Sequence, residues 1–137
     1  MENDCIFCKI VNGEIPCSKV YEDEKILAFL DISPVNKGHT LVVPKKHYKT
    51  LLDMPDNLLA DLIKVTKKIS KAVIKAARTD GFNIGQNNGK TAGQLVPHFH
   101  LHIIPRKEDD GLKHWPQCYK YEEGEMEKFA KDVSSLL

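Results

Sequence analysis

Half of the chain's 6 histidines fall in one short run, His98-Phe99-His100-Leu101-His102-Ile103-Ile104, at alternate positions. Successive side chains of a β-strand project to opposite faces. A strand over 98–104 therefore sends the imidazoles of His98, His100 and His102 one way and the apolar residues between them into a core. Three buried imidazoles in register would need three separate hydrogen-bonding solutions in one patch, so the triplet points to chemistry rather than to packing alone. It does not point to a three-histidine metal site. At a rise of roughly 3.3 Å per residue, His98 and His102 lie about 13 Å apart along the strand, too far to converge on one ion with bonds of about 2 Å. At most two neighbours share a metal, and the remainder have another task.

The rest of the chain supplies a sheet and helices around this strand. Cys5 to Asn12, closed by Gly13, reads as a short helical turn. Lys19–Glu22 and Lys25–Asp31, separated by Asp23-Glu24, read as a hairpin, and His39–Val43, stopped by Pro44, as a further strand. From Leu58 the period changes. Leu59, Leu62, Ile63, Ile69, Val73 and Ala76 recur at helical spacing, Pro55 suits the first turn, and the helix ends near Arg78. Lys64, Lys68, Lys71 and Lys75 lie opposite its apolar face, where lysines serve solubility. Residues 81–87 alternate again, and Met126, Phe129, Ala130, Val133 and Leu136 describe a C-terminal helix expected to pack on the body. The expected class is α+β, with about five antiparallel strands, one long central helix, a short N-terminal helix and a C-terminal helix.

At 137 residues, with 42% hydrophobic and 28% charged residues, one domain over 1–137 is expected, with a core large enough for a preformed pocket. A net charge of +1, from 20 basic and 19 acidic residues, gives no electrostatic basis for binding nucleic acid or a membrane surface. Met1-Glu2-Asn3-Asp4 lacks the basic-then-apolar order of a signal peptide, and no apolar run approaches a bilayer span. A cytoplasmic location is the expectation. In that reducing setting the close pair Cys5-x-x-Cys8 suits a metal or redox chemistry better than a disulfide, while Cys17 and Cys118 are ordinary small side chains. Two cysteines plus two histidines form a standard structural zinc set, for which His98 and His47 are the candidate partners. A thioredoxin-type pair is the competing use, although the strand that should precede its cysteines is missing.

That assignment leaves His100 and His102 facing a cavity. A neutral imidazole is a competent nucleophile near pH 7 when one ring nitrogen donates to a fixed acceptor and the other keeps its lone pair. Phosphorus is a natural target, because the loop before the strand carries Asn87, Gly89, Gly93 and Gln94, which allow close backbone approach and supply amide donors for phosphate oxygens. The stretch Gly85 to Gly89-Lys90-Thr91 is not a P-loop. Its first glycine would have to stand at Ile84, and a strand rather than a helix follows.

These residues resemble the histidine triad (HIT) nucleotide hydrolases and transferases, whose signature His-x-His-x-His reads here as His98 to His102, continuing Ile103-Ile104-Pro105-Arg106. Cys5-Ile6-Phe7-Cys8-Lys9-Ile10, Phe29-Leu30-Asp31-Ile32-Ser33-Pro34 with Gly38-His39-Thr40, and Asn87 through Ala92-Gly93-Gln94 agree in order and spacing. The likeness covers about residues 5–106, leaving a C-terminal extension of about 107–137. It implies a HIT-like fold and a hydrolase acting at the α-phosphate of a purine nucleoside monophosphate conjugate, of phosphoramidate or acyl/amino-adenylate type. His100 would attack the phosphorus and form a nucleotidyl-histidine. By the same likeness Asp31 holds the ribose hydroxyls, and Ile6, Phe7, Ile10, Ile15, Phe29 and Ile32 line an apolar base pocket. Asn87, Gln94 and His102 contact phosphate oxygens or the leaving group, and His39 supports the nucleophile. Zinc-bearing relatives use positions equivalent to Cys5, Cys8, His47 and His98 for a structural ion, and family members are usually homodimers.

The sequence also departs from the family pattern. Purine nucleoside phosphoramidases often carry a serine after the Gly-Gln pair of the substrate loop, where it helps protonate the leaving amine; Leu95 stands there in this chain. His114-Trp115-Pro116 resembles the tail of that branch at a different distance from the triad, and the extension suits a pocket mouth or a dimer contact. Two other readings fit the same motifs: a dinucleoside polyphosphate hydrolase, and a nucleotide-binding sensor or scaffold with slow chemistry.

Overall fold

The computed structural model describes residues 4–113 and 115–137; His114 and the first 3 residues, part of the acidic start read above, lie outside them. Cys5 opens the short helix α1 (Ile6–Val11) by accepting the Cys8 N–H on its sulfur, and Gly13, at φ 80°, lets the chain turn away. Five strands follow in an antiparallel sheet: β1 (Lys19–Glu22), β2 (Ile26–Leu30), β3 (Thr40–Pro44), β4 (Gly81–Gly85) and β5 (Leu101–Arg106), in spatial order β1-β2-β3-β5-β4. The β1–β2 turn is closed by Asp23, whose carboxylate accepts from the N–H groups of Lys25 and Ile26. Helix α2 (Asp56–Ala77) carries the chain from β3 to β4 and stops at Arg78, which takes the left-handed conformation with φ 54°. The helix α3 (Glu125–Leu136) ends the chain. Among the described residues no helix is long and apolar enough to cross a membrane.

The side-chain period of 2 splits β2 and β3 between two apolar clusters. Ile26, Ala28 and Val42 join Phe99, Leu101 and Ile103 under Leu58, Leu62, Ile69 and Val73 of α2. Leu27, Phe29, Leu41 and Val43, on the opposite face, join Cys5, Phe7 and Cys8 of the N-terminal turn. The central strands are thus covered on both faces, which anchors the site's framework.

Three expectations need correction. The ladder of the histidine strand begins at Leu101, not His98; His98 N–H bonds the Val96 carbonyl and Phe99 N–H that of Tyr48, so 98–100 run beside a loop before pairing starts. Alternation survives, with Phe99 in the α2 core and His98 and His100 against Phe7. On α2, Ile63 is half exposed while Thr66 and Ser70 are buried. Their hydroxyls donate to the carbonyls one turn back, Leu62 and Thr66, so burying them leaves no polar group unpaired. Finally, α3 does not pack on the body: none of its residues is buried, and Phe129 is 60% exposed.

Candidate active site

His100 is aimed by its own main chain. Its Nδ1 lies 2.7 Å from the carbonyl oxygen of His98, to which it donates, so Nε2 keeps its lone pair. The ring stands edge-on to Phe7, with centroids 5.0 Å apart, and 4.9 Å from the ring of His102. Burial pushes the His100 pKa down, which keeps the imidazole neutral at pH 7.

Beside it runs a second chain of imidazoles whose protons can be assigned. The Val35 N–H donates to His39 Nδ1 at 3.0 Å, so the His39 proton sits on Nε2. From there it is donated to His102 Nδ1 at 2.8 Å, leaving His102 with its own proton on Nε2. Burial, followed by the neighbouring His100 and His39, pushes His102 down to about 4. Burial also lowers His39, against the opposing pull of Asp31. The 3.6 Å approach of His39 Nε2 to Asp31 Oδ2 is therefore a contact of a neutral ring with a carboxylate rather than an ion pair at pH 7. Asp31, His39 and His102 place ligand atoms within 4.8 Å of one another. The Val35 N–H, however, fixes the proton on the nitrogen a metal would need.

A different set of four satisfies metal geometry. Ligand atoms of Cys5, Cys8, His47 and His98 all lie within 4.8 Å of one another. His98 Nδ1 is 3.3 Å from Cys5 Sγ and 3.6 Å from Cys8 Sγ, and His47 Nδ1 is 3.4 Å from Cys8 Sγ. Tetrahedral zinc with Zn–S near 2.3 Å and Zn–N near 2.0 Å has N···S edges of about 3.5 Å, so the donors fit. His98 Nε2 donates to the Pro44 carbonyl at 2.8 Å, which turns the Nδ1 lone pair toward the sulfurs. Without a metal, burial raises the Cys5 thiol pKa.

The residues assigned to a base pocket divide by burial. Phe7 and Phe29 are buried with ring centroids 5.6 Å apart, and Ile10 packs beside them. Ile6 and Ile15 are partly exposed, and Ile32 is 96% exposed. Asp31 accepts the Ser33 N–H on Oδ1, leaving Oδ2 toward His39. In the loop before β5, Gln94 is buried and its carboxamide ties that loop to the segment after β3: Oε1 accepts the Gly89 N–H within the loop and Nε2 donates to the Lys49 carbonyl. Asn87 reaches the Gly93 carbonyl, and Leu95 projects into solvent, 93% exposed. His39 and His102 line a cavity of about 650 Å³ with Val35, Asn87, Ile104 and Trp115 of the C-terminal extension. Neither His100, which is buried against Phe7, nor any of the assigned base-pocket residues lines it; Ile6, Phe7 and Ile10 stand on α1, Phe29 on β2, and Ile15 and Ile32 in the segments that follow those elements. Sequence reasoning missed the carbonyls of Pro44 and His98 and the N–H of Val35, because main-chain partners leave no residue-type signal.

An α+β sheet protein that presents two neutral, oriented imidazoles beside a glycine- and amide-rich loop is the class defined so far. The chain belongs to the HIT domain family, whose model matches residues 12–109. It is 44% identical over 135 residues to an adenosine 5′-monophosphoramidase of Schizosaccharomyces pombe, covering 97% of this chain and 98% of that protein. It is 63% identical over 107 residues to an uncharacterised HIT-like protein of Methanocaldococcus jannaschii, covering 78% of this chain and 82% of that one. A crystal structure of a HIT family protein from Bacillus anthracis superposes with a TM-score of 0.90 at 41% identity, covering 100% of this chain and 99% of that chain. The α+β sheet architecture is that of the family's solved structures.

Proposed function

We propose that the protein is a nucleotide hydrolase that cleaves at the α-phosphorus of a purine nucleoside monophosphate conjugate, of phosphoramidate or acyl-adenylate type, through a nucleotidyl-histidine on His100. The observation that carries this reading is the His100 Nδ1 hydrogen bond to the His98 carbonyl, which reserves Nε2 as the nucleophile. Support for the substrate class comes from the phosphoramidase name of the yeast relative. In the first step the Nε2–P bond forms as the bond from phosphorus to the leaving group breaks, and the leaving group takes the electron pair. An acyl group departs as its carboxylate and needs no proton. A phosphoramidate nitrogen draws its proton from solvent, because Leu95 offers none. Attack makes the His100 ring cationic, and the His98 carbonyl accepting from Nδ1–H stabilises that charge. His102 Nε2–H donates to a phosphoryl oxygen. Water then attacks phosphorus, loses a proton to solvent, and releases the monophosphate and neutral His100.

The nucleoside would lie along Phe7, Ile10 and Phe29, with its ribose hydroxyls on Asp31. The test is a rapid quench with adenosine 5′-phosphoramidate followed by mass analysis of the peptide that carries His100. An adenylylated peptide in the wild type and its absence, with loss of turnover, in His100→Ala are expected. Wild-type turnover by His100→Ala would defeat the assignment.

Cys5, Cys8, His47 and His98 would hold a structural zinc. Four protein ligands leave no coordination position for substrate, and the ion would fasten α1 to the end of β3 and the approach to β5. A homodimer and a cytoplasmic location accompany this reading.

A further inference from the structure

Asp110 lies in the C-terminal extension, beyond the triad, yet its side chain is only 6% exposed. Its two carboxylate oxygens are saturated with donors. Oδ2 accepts from Arg106 Nε at 2.8 Å, the Lys107 N–H at 2.8 Å and Asn36 Nδ2 at 2.7 Å. Oδ1 accepts from Arg106 Nη2 at 2.8 Å and the Leu112 N–H at 3.0 Å. Four of these contacts organise the turn after β5; the one to Asn36 reaches a different part of the chain. Asn36 belongs to the loop between β2 and β3, the loop that supplies Asp31, Val35 and His39.

Asn36 uses both amide hydrogens to pin this loop to β5: one goes to Asp110 and the other to the Pro105 carbonyl at 3.0 Å. Its own carbonyl accepts the His39 N–H at 3.0 Å. Gly38 follows the same path so closely that a Cβ there would meet Pro105 Cγ at 3.2 Å. Three residues before Pro105 on the same strand stands His102, whose Nδ1 receives the His39 proton. The β3–β5 ladder, which pairs Thr40 with Ile103 and Leu41 with His102, brings the two rings side by side; the join between the 31–39 loop and β5 fixes where His39 enters that ladder, and Asp110 closes the join.

We propose that Asp110, acting through Asn36, is a positioning residue that sets the His39–His102 hydrogen bond and so keeps the His102 proton on Nε2. The C-terminal extension thereby contributes to the orientation of the imidazole that faces the phosphoryl group. The consequence for catalysis rests on the hydrolase reading above; the geometric claim does not. Replacing the carboxylate by a carboxamide of the same size turns one acceptor into a donor. An NH2 group in the position of Oδ2 faces three donors, from Asn36, Arg106 and Lys107, and in the position of Oδ1 it faces two, Arg106 Nη2 and the Leu112 N–H, so either orientation sets donor against donor and loosens the turn that closes the join without a change of volume.

The test uses Asp110→Asn and the milder Asn36→Ala in the full chain, with two measurements. The first is the 15N and 1H spectrum of the imidazole rings, which identifies the protonated nitrogen of each histidine in the absence of substrate. Wild type should show His102 protonated on Nε2, and both variants a mixture of tautomers. The second is steady-state turnover of adenosine 5′-phosphoramidate, where kcat should fall about tenfold with KM within about twofold, since small displacements of aligned groups act on the chemical step. Tautomer mixing in the variants of a protein that turns over no nucleotide would sustain the positioning role while removing the hydrolase reading. Unchanged ring tautomers and unchanged kcat in Asn36→Ala, even with lowered thermal stability, would overturn the proposal. If Asp110→Asn fails to fold, the Asn36→Ala measurements decide.

Discussion

Cys8 is the natural place to probe the zinc reading, because its sulfur touches both candidate imidazoles, His47 Nδ1 at 3.4 Å and His98 Nδ1 at 3.6 Å. Suppose one ion binds the folded chain and not the unfolded one. Above the dissociation constant, each tenfold rise in free zinc then adds about 1.4 kcal/mol to stability. Unfolding entropies of about 2.1 cal/mol/K per residue, applied to the 137 residues of the chain, give about 0.29 kcal/mol/K. If α3 and the segment before it unfold outside the cooperative unit, the figure is smaller. Melting temperature should thus climb by about 5 °C per decade of free zinc. Both thiols must lose their protons to become ligands. Raising the pH by one unit, where both are protonated in the metal-free form, tightens binding by up to about 100-fold. The assay is thermal unfolding followed by circular dichroism in metal buffers, from a strong chelator to micromolar free zinc. In Cys8→Ser the slope should vanish over the same range, whereas Cys118→Ser, at an exposed position, should retain it. A wild-type melting temperature equal in chelator and in micromolar zinc would refute the reasoning.

Further outcomes follow from the same contacts. His102 and His39 are both lowered in the fold, His102 to about 4, so below the ordinary value of 6.5 the unfolded chain binds more protons. Their contribution to stability is complete above pH 6.5 and lost as pH falls toward 4; a urea midpoint that is flat from pH 7 to pH 4.5 would contradict this. Leu95→Ser, on an exposed side chain, should raise kcat for a phosphoramidate by roughly fivefold, the value of one hydrogen bond near 1 kcal/mol, and leave an acyl adenylate unaffected; equal effects on both would disprove the proton-donor account. Leu62→Ala removes a fully buried side chain from under the sheet and should cost about 2–5 kcal/mol in denaturant titrations, with the zinc slope preserved. A loss below 1 kcal/mol would mean that α2 is not the lid of the main core.

The parts of this molecule written in side-chain periodicity are readable from the sequence alone. Alternation at 98–103 placed Phe99, Leu101 and Ile103 in the core, and the spacing in α2 found Leu58, Leu62, Ile69 and Val73. Where a polar side chain satisfies itself locally, pattern reading fails: Thr66 and Ser70 look like surface residues, yet their hydroxyls are spent on their own helix. Amphipathicity misled at α3, because an apolar stripe tells that a surface wants covering and not what covers it. The four Cys/His side chains were legible as candidate partners from residue type and spacing, and the structure brings their ligand atoms together. Strand onset, by contrast, depended on the bonds of 98 and 99 to Val96 and Tyr48, which connect main chain to main chain. The Asp110 network was invisible for a related reason: an aspartate after a strand reads as an ordinary turn residue until the distant Asn36 is known to point at it.

Because the acceptor that fixes the His100 ring is a peptide carbonyl, every amino acid at position 98 would provide it. Drift or deliberate redesign can therefore remodel the surrounding walls, and with them the range of molecules admitted, while the reactive nitrogen keeps its bearing so long as the backbone there holds its course.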